Sequence, residues 1–171
     1  MPKIVCWALA AVAVVGSGFA VRAGEEALVP APAGAPLMLE AMADGVQIYA
    51  CEAQGQGFEW VFKAPEANLF DKQGRQIGTH FAGPTWKTGD GATVVGEVAA
   101  KADAPAPGAI QWLLLRAKSH EGTGALSGVA FIRRAETKGG VAPKAGCDAG
   151  HRGEQARIRY SALYQFFGVA K

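Results

Sequence analysis

The chain has 171 residues, half of them hydrophobic, and carries 17 Lys and Arg against 15 Asp and Glu, a formal charge of +2. The excess lies in Lys3 and Arg22; without those two of the 17, the 15 remaining basic residues match the 15 acidic ones. A balanced chain with no basic cluster argues against nucleic acid as the partner, and the length suits one domain that buries roughly 70% of its unfolded surface.

Residues 1–23 read as a targeting signal. Met1-Pro2-Lys3 is a short positive start, residues 4–15 are apolar and uncharged, and Val21-Arg22-Ala23 fits a cleavage pattern ending near Ala23. The apolar run is shorter than the roughly 20 residues a membrane span needs; an uncleaved anchor is the alternative. Cys6 precedes most of the run, unlike a lipoprotein cysteine. The expectation is a periplasmic or secreted protein, made through a Sec-type signal, with no stable membrane span after cleavage. Only Cys51 and Cys147 then remain, and an oxidising compartment favours their pairing over two free thiols.

Residues 24–43, with Pro30, Pro32 and Pro36, read as an extended Pro/Ala-rich leader ahead of a domain over 44–171. Past Asp44-Gly45, Val46, Ile48 and Ala50 alternate with Gln47, Tyr49 and Cys51, the pattern of a half-buried strand. Phe58, Trp60 and Phe62 alternate with Glu59, Val61 and Lys63, so their aromatic face is expected in the core and Pro65 is expected to end the strand. Asp71-Lys72-Gln73-Gly74 reads as a hairpin turn between residues 68–70 and 76–81. Residues 78–91 gather His80, Trp86, Lys87 and Asp90 among Gly and Pro, and read as a loop held between strands.

Gly96 within residues 93–98 suggests a bulge. The nearly unbroken apolar run 110–115 suggests a central strand covered on both faces, and residues 129–134 the next strand. Residues 136–155, with five glycines and Pro143, make a long polar segment that Cys147 would tie down. In the last strand Ile158, Tyr160, Ala162, Tyr164 and Phe166 alternate with Arg157, Arg159, Ser161, Leu163 and Gln165. About eight short strands and Gly-rich turns predict an all-β domain, an antiparallel β-sandwich or partly closed barrel.

Chemistry-bearing residues are sparse. Cys147 and His151 are four apart, a spacing a metal could use, but no Met follows to complete a copper site and Cys51 competes for the sulfur, so neither metal nor cofactor is expected. His80 with Asp90 could form an imidazole–carboxylate pair, which makes a secreted hydrolase the alternative function, although no Ser or Thr lies in a recognisable nucleophile turn. The favoured expectation is a non-catalytic binding or envelope-associated protein. Its surface would combine residues 78–91 with the segment 136–155, and His80, Trp86, Lys87 and Asp90 would contact a small molecule or an envelope polymer.

Gly-Val-Gln-Ile-Tyr-Ala-Cys at 45–51, Pro-Thr-Trp at 84–86 with Asp90-Gly91, and Ile-Gln-Trp-Leu-Leu-Leu at 110–115 form one set of motifs. Residues 129–134, Thr137-Lys138-Gly139-Gly140, Cys147 and the run 160–167 complete it. The set resembles the exported bacterial and fungal proteins grouped as domain-of-unknown-function family 3455, over residues 45–167. The resemblance implies an exported domain with a paired cysteine and carries over no catalytic residues.

Overall fold

The computed structural model describes residues 28–170; the expected signal segment lies outside them. Eight strands follow in chain order: β1 (Leu37–Gln54), β2 (Gly57–Phe70), β3 (Gln76–Phe81), β4 (Thr85–Thr88), β5 (Thr93–Ala102), β6 (Trp112–Glu121), β7 (Phe131–Gly139) and β8 (Gln155–Phe167). Each pairs antiparallel with the next, and β8 returns to pair with β1, so one sheet closes into a barrel. The two facing sheets of a sandwich are therefore replaced by a single ring, in which closure removes both edges. Among the described residues the only helix is one 3-10 turn, Ala149–His151.

The inward face of β1 consists of small residues. Ala41 lies opposite Tyr164, Ala43 opposite Ala162 and Gly45 opposite Tyr160 on β8. The alternation read in β8 holds, with Tyr160, Ala162, Tyr164 and Phe166 buried in the main core, and the aromatic rings of one wall need small partners on the other. In β1 this decides which face of the half-buried strand turns inward: Gln47 and Tyr49 are buried, while Val46 and Ile48 are only partly covered. The bulge expected at Gly96 is present, a register shift between Val95 and Gly96, and a Cβ there would stand 3.2 Å from the Trp86 ring. Glycine makes room for the indole.

Strand β2 runs through Pro65 to Phe70, so Pro65 does not end it. Opposite Ile48 and Tyr49 the β2 partners skip from Ala64 to Phe62, leaving Lys63 as an extra residue. Such a bulge shifts the parity along the strand and puts Phe62 and Trp60 opposite Tyr49 and Cys51, on the inward face. The stripe Phe58, Trp60, Phe62 faces inward as expected but lies beyond the packed core, toward the open end, where Phe62 is 49% exposed. Trp60 is capped from outside, its Nε1 donating to the Ala145 carbonyl at 3.0 Å in the β7–β8 connection.

β1 begins at Leu37, inside the stretch read as a leader, and residues 28–36 pack on the outer wall. Val29 is buried against Trp112 and Ala135, and Arg133 Nε donates to its carbonyl at 2.6 Å. Arg133 also lies over the Trp112 ring, 5.5 Å from its centroid. Strand β6 is therefore covered on both faces, Leu115 by the main core and Trp112 by this strap. Cys51 and Cys147 are bonded, with an S–S distance of 2.00 Å, which joins the end of β1 to the β7–β8 connection.

The two ends of the barrel differ. At the end reached by the β2–β3, β4–β5 and β6–β7 connections, Leu126, Val129 and Ala92 are buried and plug the bore. At the other end, reached by the β3–β4, β5–β6 and β7–β8 connections, the interior opens into a cavity.

Candidate functional site

Residues 78–91 form a hairpin, not a loop: β3 and β4 pair with His80 opposite Trp86. The two rings stack at 4.4 Å between centroids with planes 8° apart, and Tyr164 meets both edge-on, at 5.1 Å and 5.4 Å. His80 is 2% exposed and Trp86 is 1% exposed. They are inner-wall groups, and the exposed aromatic platform expected of them does not exist. Lys87, the next residue along β4, is exposed, while Trp86 is buried.

Asp90 lies at the plugged end. Its carboxylate accepts from Thr88 Oγ1 at 2.6 Å, the Ala92 amide at 3.1 Å and the Ala125 amide at 2.7 Å. These bonds tie the β4–β5 turn to the β6–β7 connection, and a Cβ on Gly124 would collide with the carboxylate. The hydroxyl of Thr88, then the Ala125 and Ala92 amides, hold the Asp90 carboxyl below its usual pKa. His80 Nδ1 instead faces the Thr85 carbonyl at 2.9 Å. A carbonyl can only accept, so Nδ1 carries the proton, and burial lowers the His80 pKa to about 3. The imidazole–carboxylate pair required by the hydrolase reading is not formed. Of the four residues expected to share a site, the fold brings two together and separates the others.

The cavity at the open end has a volume of about 640 Å³. Its wall is mostly apolar: Phe62, Pro65, Pro84, Val98, Leu113 and Val141 border it, and His80, Trp86 and Tyr164 stand deeper. Ligand cavities in proteins span roughly 300–1,000 Å³, largely apolar with a few polar groups that set orientation. An eight-stranded barrel is just wide enough either to fill with side chains or to hold one small ligand. Here the two outcomes occupy opposite ends.

The polar groups of the cavity are Arg134, Gln47, Tyr49 and Tyr164, with Lys63, Asp103 and Gln111 near the rim. Arg134 faces inward because it lies two residues after the buried Ile132 on β7, opposite Leu113 of β6. Its Nε donates to the Gln111 carbonyl at 3.0 Å. Tyr49 donates to the Gly140 carbonyl at 2.6 Å. Gln47 Nε2, Trp86 Nε1 and the hydroxyls of Tyr160 and Tyr164 are buried without a partner in good hydrogen-bonding geometry. Burial raises the pKa of Tyr160 and Tyr164, and the Arg134 charge opposes it, so both remain protonated donors. Reading the sequence missed this cluster. Its signal was a charged residue at an inward position of β7, which becomes visible once the parity of Ile132 is known.

The other candidate chemistry is committed elsewhere. The Cys147 sulfur is in the disulfide, and His151 Nδ1 lies 2.7 Å from an Asp148 carboxylate oxygen on the exposed 3-10 turn. Among the described residues no group of three or more His, Cys, Asp or Glu could hold a metal ion, and no helix is long and apolar enough to cross a membrane.

A family model described as a protein of unknown function (DUF3455) matches residues 32–168. The chain belongs to this family. The DUF3455 match takes in the strap from Pro32 and all eight strands, so the barrel, its plugged end and its cavity all fall within the family's domain. Neither the curated proteins nor the solved structures contain a significant match to the chain. Within the DUF3455 domain, roles for individual residues therefore rest on geometry.

Proposed function

We propose that the protein is an exported, non-catalytic binding protein that takes a small, largely apolar molecule into the open end of its barrel. The observation that carries this reading is the cavity of about 640 Å³, walled by apolar side chains and closed below by packed core. Its bore suits a small molecule better than an envelope polymer. Export is supported by the signal-like pattern of residues 1–23 and by the Cys51–Cys147 bond, a link typical of oxidising compartments. A binding role is favoured over hydrolysis because His80 is stacked, buried and bonded to a carbonyl, and Asp90 serves the opposite end.

Titration with the neutral dye N-phenyl-1-naphthylamine tests this. The expected result is saturable, one-site enhancement of its fluorescence, abolished by Ala142→Trp, which fills the cavity from its wall. Equal dye binding by the native protein and a correctly folded Ala142→Trp variant would place the dye elsewhere and defeat the reading.

A further inference from the structure

Arg134 is the feature of the cavity that an apolar ligand alone leaves unexplained. Three arginines on the outside of the barrel have carboxylate partners: Arg75 with Asp71, Arg157 with Glu66 and Arg159 with Asp44. Among the described residues no carboxylate lies within ion-pairing distance of Arg134, whose Nε donates to the Gln111 carbonyl and whose guanidinium lies beside the Tyr164 hydroxyl. A partly buried charge without a counter-charge is costly. The one acid at the cavity, Asp103, is exposed at the rim, where it accepts from Gln111 Nε2 at 2.9 Å. Exposed Lys63 shares that rim but is paired with Glu52 at 2.6 Å, so the rim's remaining charge is the water-exposed Asp103, and Arg134 is the charge inside.

The unpartnered groups around Arg134 have one polarity. Gln47 Nε2 and Trp86 Nε1 can only donate, and the neutral Tyr160 and Tyr164 hydroxyls, which lie beside each other and beside Gln47 and Arg134, each carry a proton. Tyr49, whose proton is already given to the Gly140 carbonyl, is the exception. Outward from this cluster the wall is apolar, and its rim keeps Phe62, Val98 and Val141 at 49%, 54% and 46% exposure. Donors and one cation at depth, with bare hydrocarbon at the entrance, suit a molecule whose acceptor-rich end enters first.

Resting on the cavity reading above, we infer that the ligand is an anionic amphiphile: an apolar body bearing one carboxylate-sized oxyanion that pairs with Arg134. The guanidinium presents a planar fork that matches two oxygens of such a group. A single inner cation matches a single negative charge, and the body of the ligand covers Leu113, Phe62 and Val98.

Decanoate, 1-decanol and decyltrimethylammonium, each below its aggregation limit, are competed against N-phenyl-1-naphthylamine on the full oxidised chain. Decanoate is expected to bind at least tenfold more tightly than decanol, and the cation more weakly than either. Arg134→Gln should bring decanoate to the level of decanol and leave decanol unchanged. Equal affinity of decanoate and decanol in the native protein overturns the charge inference while the cavity reading stands. That ratio needs no variant, so the test survives if Arg134→Gln fails to fold. Tight decanoate binding that persists in a folded Arg134→Gln protein overturns the role of Arg134. If no chain displaces the dye and Ala142→Trp leaves dye binding intact, the cavity reading fails, and the ligand assignment with it.

Discussion

At the plugged end the β6–β7 connection folds inward, Leu126 and Val129 occupy the bore, and Asp90 bonds the neighbouring turn to it. At the open end the β7–β8 connection is longer, yet its side chains border a cavity and its Cys147 is held covalently to β1. One end is held by packing, the other by a cross-link. The difference teaches that an end which must stay open cannot use hydrophobic filling for rigidity and needs another restraint.

The strongest way to break this contrast is to cut the cross-link. Replacing both Cys51 and Cys147 by Ser releases a loop with a sequence separation of 96 residues, and chain-entropy arguments put the loss at about 4–5 kcal/mol. Guanidinium denaturation of the oxidised and double-Ser proteins measures it; a loss below about 1 kcal/mol would mean that the open end is rigid for another reason.

Packing at the two ends is compared next. Leu126→Ala at the plug should cost about 2–4 kcal/mol, because a fully buried leucine leaves a void its neighbours cannot fill. Leu113→Ala on the cavity wall should cost less, since its side chain already borders open space. The ratio of the two losses, read from denaturant midpoints, sharpens the comparison, and equal losses would erase it.

A third comparison, graded by pH, concerns His80, on the wall between the two ends. Its folded pKa of about 3 lies below the ordinary 6.5, so below pH 6.5 the unfolded chain takes up a proton that the folded chain refuses. Stability is therefore lost as pH falls from about 6.5 toward 3, by up to ~1.4 kcal/mol per pH unit. Unfolding free energies of the native and His80→Gln proteins, measured from pH 7 to pH 4, should converge on acidification. Parallel pH profiles would show that His80 is not held neutral by burial.

Much of this architecture was legible from alternation alone. β8 was read with the right inward face because Tyr160, Tyr164 and Phe166 fill the widest part of the bore. The strand count and the Asp71–Gly74 turn were legible for local reasons: Gly74 adopts φ 77°, and its amide bonds the Asp71 carbonyl at 3.0 Å. The inward face of β1 is not legible from its alternation, because a wall lined by large rings selects alanine and glycine on the other, so the more hydrophobic face of β1 turns outward. The aromatic stripe of β2 faces inward, opposite Tyr49 and Cys51, but past the packed core, because alternation specifies a face and not a height in the barrel.

The site was harder to see. Residues 78–91 look loop-like by composition, yet Gly78 sits in a strand whose close partner is the Lys87 backbone, so its glycine serves a tight ladder and not a turn. Arg134 does not stand out in the sequence beside Arg133, although adjacent strand positions place Arg133 on the outer wall and Arg134 inside. That assignment depends on the register of β7 against β6 and β8, which pairing across the ring determines and local sequence does not.

The pairing of β8 with β1 also constrains how the molecule comes into being. Antiparallel neighbours in chain order can zip as they are synthesised, but the final seam joins the first strand to the last. Until β8 is complete, β1 and β7 each present a bare row of amides and carbonyls, the template on which chains aggregate. A polypeptide truncated before residue 155 is thus an open ribbon, with no stable smaller version of the barrel to fall back on.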